Sequence, residues 1–135
     1  MLLEAAAPSP ASYFAAAPEE YRPEAVFPAL TADNLRQTLL CEMRPAAVLC
    51  GAAWAAPYRA QHGDLATLAR MTRDRFAFYT LDVLREEELA AWIKVRVLPT
   101  TLLFRGGQIV ARFAGRTPRR EIQSALTAAA FPTRR

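Results

Sequence analysis

The sequence predicts an α/β fold, with a central mixed β-sheet of about five strands flanked by about four helices in the order βαβαβαββα. Two apolar runs, residues 46–50 and 76–82, are each followed by a segment with helical periodicity. Near the end of the chain, two more strand-like runs are separated by Gly106-Gly107, a pair typical of a tight β-hairpin turn. Strands that alternate with helices form parallel pairs and a hairpin adds antiparallel ones, so the predicted sheet is mixed.

A chain of 135 residues has the length of one domain with its own hydrophobic core. No apolar run approaches the roughly 20 residues of a membrane-spanning helix, so we expect no membrane contact. The first residues lack the basic segment of a secretory signal, and we therefore expect a cytoplasmic protein. The composition predicts three regions: an Ala/Pro-rich arm at 1–24, a domain at 25–130 and a basic tail at 131–135.

The net charge of +4 is unevenly distributed along the chain. Residues 1–33 contain five acidic residues and one arginine, a balance of −4, so the remainder carries +8. A basic surface can bind nucleic acid or an acidic partner. However, no basic run interleaves with aromatic residues as in proteins that bind single strands, so we expect no nucleic-acid partner. The opposite charges leave open a homodimer or a fixed subunit of a larger assembly, held through the acidic arm.

Local sequence features predict each of the first elements of the domain. Residues 26–30 are predicted to form a short edge strand, because Pro28 suits the edge of a sheet and not its centre. Thr31 or Asp33 is expected to cap the following helix, which ends before Pro45. The apolar run that follows is predicted to be the central strand, covered on both faces.

Three further helices are predicted. Pro57 suits the first turn of the second helix, whose lone histidine, His62, is expected on the surface. Residues 85–94 are predicted to form the third helix, with Trp92 on its buried face. Thr117-Pro118 is expected to begin the last one. The predicted inward-facing residues of the second and last helices are Leu65, Leu68, Ala69, Thr72, Ile122, Ala125, Leu126 and Ala129.

The segment between the central strand and the second helix reads Trp54-Ala55-Ala56-Pro57-Tyr58. It resembles the active-site segment of thioredoxins, Trp-Cys-Gly-Pro-Cys. Trp54 and Pro57 match that segment, whereas Ala55 and Tyr58 stand where the two cysteines would be. Disulfide exchange needs one thiolate to attack and a second thiol to resolve the mixed disulfide. The resemblance therefore predicts a thioredoxin-like protein without redox activity.

A second match follows the third helix, where Leu98-Pro99-Thr100 leads into the hairpin and then to Gly115. Thioredoxins have an Ile-Pro-Thr turn at this place. Pro99 falls on the cis-proline of the family, and Gly115 on a glycine that lets a partner peptide approach. Leu49 stands where thioredoxins carry a buried aspartate that helps to move protons. The resemblance extends over about residues 26–130 and implies the thioredoxin fold.

In thioredoxins the backbone before the cis-proline pairs with an extended segment of the substrate. Such pairing does not require cysteine, so we expect a non-catalytic protein that binds a protein or peptide segment as a chaperone, assembly factor or adaptor. Thioredoxin-like accessory proteins of hydrogenase maturation also lack the cysteine pair and are thought to hold precursor proteins. The residues that the resemblance assigns to peptide binding are Trp54, Ala55, Ala56, Pro57, Tyr58, Leu98, Pro99 and Gly115.

Two alternatives remain open. A thiol-disulfide oxidoreductase or redox sensor would have to use Cys50 or Cys41, the two cysteines of the chain. Cys50 lies in the apolar central strand, where a thiol is neither exposed nor activated. The chain could also keep the groove and use another face. We expect no catalytic residue, metal or cofactor, and a monomer or weak homo-oligomer.

Overall fold

The computed structural model describes residues 27–130, so the predicted arm at 1–24 and tail at 131–135 lie outside the described residues. Within that range the chain forms four strands and four α-helices, and a short 3-10 helix, Arg73–Arg75, follows the second α-helix. In chain order the main elements are α1 (Leu35–Cys41), β1 (Ala46–Gly51), α2 (Ala56–Thr72), β2 (Ala77–Asp82), α3 (Glu87–Trp92), β3 (Thr100–Arg105), β4 (Gln108–Ala114) and α4 (Arg119–Ala130).

The four strands form one sheet in the order β2-β1-β3-β4. β1 is parallel to β2, with Val48 opposite Tyr79, and antiparallel to β3, with Val48 opposite Leu102. β3 and β4 form the predicted hairpin, and its Gly106-Gly107 turn has φ angles of +62° and +83°, which glycine adopts without strain. The mixed α/β sheet flanked by helices confirms the predicted fold class, with one strand fewer among the described residues.

Of the predicted edge strand at 26–30, the described residues 27–30 contribute a single bridge, in which Ala29 pairs in parallel with Thr80. The Thr80 N–H donates to the Pro28 carbonyl at 3.0 Å. Residues two apart on a strand direct their backbone groups to the same side, so Phe78 is next in the ladder. Its carbonyl would need an N–H from Pro28, and proline has none. The described pairing therefore stops after one bridge.

The core has two layers, one on each face of the sheet. All six residues of β1 are buried, as predicted for a strand covered on both sides. Val48 and Cys50 face the layer under α1 and α3, whereas Ala47 and Leu49 face the layer under α2 and α4. These layers are filled from the helices and from the turn after α3 by Leu39, Leu89, Ile93, Leu65, Leu68, Ile122 and Leu126.

Trp92 is not in the core, and the prediction for it is wrong. Its side chain is 74% exposed, while Leu89, Ala90 and Ile93 are buried. Helical periodicity over 85–94 predicts Leu89, Trp92 and Ile93 on one buried face, whereas in the structure Ala90 takes the inward position in place of Trp92. α3 is also only six residues long, shorter than the predicted 85–94. Trp92 therefore lies outside the buried face of the helix.

His62 is half-buried and not on the open surface as expected. Its ring centroid lies 4.8 Å from that of Phe27, which in turn stacks on Phe78 at 5.4 Å. Burial lowers the pKa of His62 below its usual value, because removal from water disfavours the charged imidazolium. The histidine thus helps to hold the first described residue of the domain against α2. The prediction that Thr31 or Asp33 caps α1 is wrong, because the N-cap is Asn34 and it has no side-chain cap hydrogen bond. The Thr31 hydroxyl instead accepts the Asn34 N–H at 3.3 Å in the turn that precedes the helix.

Candidate functional site

The segments that carry the predicted site meet at one end of the sheet. Thr100, the first residue of β3, lies opposite Cys50 near the end of β1 and opposite Ala114 at the end of β4. The loop after β1, the loop before β3 and the loop after β4 therefore leave the sheet side by side. The sheet topology thus brings together Trp54, Leu98 and Gly115, which are far apart in the sequence.

Trp54 projects from a tight turn between β1 and α2, with the Ala55 N–H donating to the Ala52 carbonyl at 3.0 Å. The Trp54 side chain is 37% exposed. Ala55 is the N-cap of α2, and Pro57 lies in the first turn, where its missing N–H leaves no helical bond unmade. A cysteine at this N-cap would be activated by the helix dipole. The side chain of Ala55 is a methyl group that can neither attack nor resolve a disulfide.

Tyr58 lies beneath this turn and does not contribute to the exposed surface of a groove. It is 8% exposed and packs with the α2–α4 layer of the core. Its ring covers Gly51, where an added Cβ would lie 2.6 Å from the ring carbon Cδ2 of Tyr58. Where the resemblance places a second cysteine, this chain has a large ring that supports the loop from below.

The loop before β3 presents an exposed and open backbone. Val97 and Leu98 are 47% and 49% exposed, whereas Pro99 is buried. The Leu98–Pro99 peptide bond is cis. The Thr100 hydroxyl donates to the Val97 carbonyl, and the Gly115 N–H donates to the Pro99 carbonyl at 2.7 Å. Within residues 27–130, neither the N–H nor the carbonyl of Leu98 has a hydrogen-bond partner.

Gly115 forms the adjoining wall. Its φ of +81° is in the region that favours glycine, and no atom lies within 4 Å of the position that a Cβ would occupy. The space beside it is therefore open to an approaching chain. The exposed apolar side chains Trp54 and Leu98 and this open space belong to loops that leave the sheet at the same end. We call this surface the Leu98 groove, defined by Trp54, Ala55, Ala56, Pro57, Leu98, Pro99 and Gly115.

Gln61 holds the wall of this groove in place, and the sequence reading missed it. Its amide Nε2 donates to the Thr117 carbonyl at 3.0 Å, and its Oε1 accepts the Thr117 N–H at 2.6 Å. Gln61 is fully buried, so this pair replaces the water that the backbone of Thr117 would otherwise need. A signal was present in the sequence, because Gln61 is a polar residue on the face of α2 that carries Tyr58 and Leu65.

The two cysteines are free thiols, of which Cys41 is exposed and Cys50 is buried. Cys50 is fully buried, and burial raises its pKa to about 12, against a small opposing effect of the Arg112 charge. At neutral pH Cys50 is therefore a protonated thiol without access to solvent. Cys41 is exposed at the end of α1, which precedes the start of β1 and lies away from the Leu98 groove. Leu49 is fully buried, and its aliphatic side chain cannot accept a proton.

Among the described residues, no three His, Cys, Asp or Glu side chains are grouped so that they could hold a metal ion. In the same range no helix combines the length and apolar character needed to cross a membrane.

Comparison with known proteins identifies the family. The thioredoxin family model matches residues 26–128, which is most of the chain. No curated protein matches the chain. The match includes the Trp54–Pro57 turn, the Leu98–Pro99 turn and Gly115, the three segments that meet at the end of the sheet. The chain belongs to the thioredoxin family.

Proposed function

We propose that this chain is a thioredoxin-family protein without thiol-disulfide exchange activity, and that it binds an extended segment of a partner protein in the Leu98 groove. In this proposal the scaffold of the family is kept for binding, and the bound segment is released chemically unchanged. The chain then acts as a chaperone, assembly factor or adaptor.

The observation that carries the proposal is the state of Leu98. Its side chain is half-exposed, and both of its backbone groups lack a partner within residues 27–130. An extended segment laid beside Leu98 would accept from its N–H and donate to its carbonyl, as a strand added to a sheet edge does. The exposed Trp54 side chain lies on the loop after β1, at the same end of the sheet, and tryptophan is among the residues enriched in interface hot spots.

The chemistry of the site supports binding without exchange. Ala55 has no nucleophile at the N-terminus of α2, and Tyr58 replaces the resolving thiol with a buried ring. Cys50 is protonated and enclosed. A buried carboxylate at position 49 would be costly without a partner, and Leu49 instead packs in the core.

The binding half is tested with a random decapeptide library, displayed on phage and selected on the full chain. The affinity of the selected peptides is then measured by fluorescence anisotropy. Trp54→Ala is expected to weaken binding by roughly 30-fold, the effect of losing an interface anchor of about 2 kcal/mol. The matched control is Trp92→Ala, because Trp92 is an equally bulky and even more exposed tryptophan that lies outside the Leu98 groove. Equal affinities of the two variants would contradict the proposal.

Leu98→Pro tests the role of the backbone, because it removes the N–H and keeps an apolar side chain. We expect a larger loss of affinity for Leu98→Pro than for Leu98→Ala, which keeps the backbone donor. The fold of each variant is checked by its thermal unfolding midpoint. A loss in Leu98→Ala that equals the loss in Leu98→Pro would show that the side chain, and not backbone pairing, holds the peptide.

The redox half is tested by insulin reduction with dithiothreitol. The wild-type chain is expected to give no turnover above background. The variant Ala55→Cys/Tyr58→Cys is expected to give only weak turnover, because Leu49 cannot accept a proton and removal of the Tyr58 ring empties part of the core. Wild-type turnover that disappears in Cys50→Ser would overturn this half of the proposal and assign an oxidoreductase activity.

A further inference from the structure

β4 is the last strand on its side of the described sheet, and some of its backbone groups point away from β3. The Gly115 N–H donates to the Pro99 carbonyl, so these two residues form a hydrogen-bonded pair just beyond the strands. Hydrogen-bonded and non-hydrogen-bonded pairs alternate along an antiparallel ladder. Arg112 lies opposite Leu102, three positions from Gly115, so its N–H and carbonyl face outward. Within residues 27–130, these two outward groups of Arg112 have no hydrogen-bond partner.

An apolar cleft lies on each side of this strand. On the face of the sheet that α1 and α3 cover, a cleft of about 640 Å³ lies between Ile109 of β4 and the exposed side chain of Leu40 on α1. On the face that α4 covers, a cleft of about 350 Å³ is bordered by Val110 and Ala111 of β4 and by three alanines of α4. We call the outer side of β4 with its two clefts the β4 edge, defined by Gln108–Ala114.

An extended chain laid along β4 would use both clefts. Successive side chains of a strand point to opposite faces of a sheet, so alternate residues of an added strand would enter the two clefts in turn. The outward N–H and carbonyl of Arg112 would pair with its backbone, which supplies affinity, while the clefts select apolar side chains. Two clefts on opposite faces of one strand therefore fit a strand better than a helix, which would reach only one of them.

The charges around the β4 edge indicate an acidic partner. Arg36 lines the cleft beside α1 and Arg105 lines the cleft beside α4, and among the described residues neither lining includes an Asp or Glu. On the strand itself, the Arg112 guanidinium donates to the Lys94 carbonyl at 3.1 Å. β4 contains no acidic residue, so pairing it with β4 of a second copy would bring arginines together without a counter-charge. A segment with carboxylates would complement these cations.

We propose that the β4 edge is a second docking site, which pairs with an extended segment of a partner protein that has apolar residues at its centre and carboxylates at its ends. The apolar side chains alternate between the two clefts, and the carboxylates lie near Arg36 and Arg105. The segment becomes an additional strand of the sheet. The clefts lie beside the first residues of β4, whereas the Leu98 groove lies where β4 ends, so the two sites are separate.

The probe for this site is the capped octapeptide Asp-Glu-Val-Leu-Val-Leu-Glu-Asp, added to the full 135-residue chain and followed by NMR. With saturating probe, the Arg112 N–H is expected to exchange with water on the order of tenfold more slowly, because it becomes hydrogen-bonded. The same peptide with N-methylated central amides keeps the side chains and is expected to lose this protection. No binding of the probe, or equal affinity of the two peptides, would overturn the proposal.

A second copy of the chain is the competing occupant. Protection of the Arg112 N–H that rises with the concentration of the chain, without any peptide, would overturn the proposal and assign the β4 edge to self-association. A peptide with lysine in place of each acidic residue is expected to bind on the order of tenfold more weakly than the probe. Equal affinity of the acidic and the basic peptide would show that charge does not select the partner, and would also overturn the proposal.

Two pairs of variants locate the probe on the chain. Val110→Lys is expected to weaken binding on the order of tenfold, because it places a charge beside an apolar cleft. Leu84→Lys is the matched control, since Leu84 is 55% exposed, Val110 is 52% exposed, and Leu84 follows β2 at the opposite side of the sheet. Arg36→Glu is expected to weaken binding about two- to fivefold, and Arg85→Glu, also after β2, to leave it unchanged. Equal affinities within either pair would contradict the proposed site.

Competition separates this site from the Leu98 groove. Trp92 borders the cleft beside α1, so library peptides that the probe displaces are assigned to the β4 edge and excluded from the comparison of Trp54→Ala with Trp92→Ala. Peptides held by the Leu98 groove are expected to stay bound at saturating probe. If the probe displaces peptides that Trp54→Ala weakens, the two sites are one, and the proposal of a second site is overturned.

Discussion

The two ends of the sheet are held together by different means. At the start of β1, the Glu42 carboxylate accepts the Tyr79 hydroxyl at 2.8 Å and the Arg44 Nε at 2.8 Å. Arg44 also donates to the Asp74 carbonyl at 3.3 Å, so one charged cluster joins the α1–β1 loop, β2 and the segment before β2. At the other end, the Arg116–Asp64 ion pair at 3.0 Å joins the loop after β4 to α2, but within residues 27–130 no charged side chain bonds to the backbone of Leu98. The Leu98 groove is supported from below by Tyr58 and Gln61, and the backbone of Leu98 is left open.

The difference shows how this fold can keep a binding surface open. Charged side chains that closed the Leu98 end would satisfy the backbone groups that a bound segment has to use. Support from buried side chains fixes the loops and leaves their outer side accessible. Three predictions test this division, from the largest expected effect to the smallest.

Gln61→Met should cost about 3 kcal/mol of unfolding free energy. Methionine fills a similar volume, but it leaves the buried N–H and carbonyl of Thr117 unpaired, and each unpaired buried group costs about 1–3 kcal/mol. Urea denaturation measures the effect. Gln37→Met on α1 is the control, because Gln37 is exposed and its change should stay within about 0.5 kcal/mol. Equal costs for the two glutamines would show that Gln61 does not support the wall of the groove.

Gly51→Ala should cost about 2 kcal/mol, because the new Cβ would lie 2.6 Å from the Tyr58 ring and the ring is held in the core. In a Tyr58→Ala background the same substitution should cost much less, and the double-mutant cycle gives the coupling.

Gly63→Ala provides the opposite control for this prediction. Gly63 lies in α2, and no atom is within 4 Å of its added Cβ. That variant should be more stable than the wild type by about 0.5–1 kcal/mol, since alanine favours the helix. A Gly51→Ala variant as stable as Gly63→Ala would mean that Tyr58 does not support the turn.

The order and type of the elements could be predicted from the sequence, because they depend on local pattern. The apolar run at 46–50, bounded by turn signals, predicts a buried strand, and Gly106-Gly107 turns the hairpin by its own conformational preference. The residues of the Leu98 groove could be predicted only from the resemblance to a known family. No local pattern brings Trp54 and Leu98 together, and that proximity follows from the pairing of β1 with β3.

What could not be predicted depends on contacts between distant residues. The orientation of Trp92 is set by six residues of helix, fewer than two turns, and so short a segment does not determine its buried face by periodicity. The inward position of Tyr58 depends on the absence of a side chain at Gly51. The role of Gln61 depends on Thr117, which is 56 positions away in the chain. The sequence contains both residues of each such pair, but no local pattern shows that they are in contact.

The charged end should respond to pH, and the effect is the smallest of the three. The Arg44 side chain lowers the pKa of Glu42 to about 2 from 4.5, with additional hydrogen bonds from the Arg44 backbone and Tyr79 outweighing burial. A carboxylate with a lower pKa in the folded state stabilises the fold above about pH 4.5, and this contribution is lost as the pH falls toward 2. We expect a loss of about 1 kcal/mol from this pair, since Arg44 is partly exposed and water screens the interaction.

Glu42→Gln isolates that contribution, because glutamine keeps the shape of the side chain and does not titrate. Urea denaturation at pH 6 and pH 2.5 should show a smaller loss of stability in Glu42→Gln than in the wild type. Glu88→Gln removes an exposed carboxylate on α3 and should follow the wild-type curve. If Glu42→Gln and the wild type lose the same stability between these pH values, the ionic cluster does not hold its end of the sheet. The contrast between a charged end and an open end would then rest on Gln61 and Tyr58 alone.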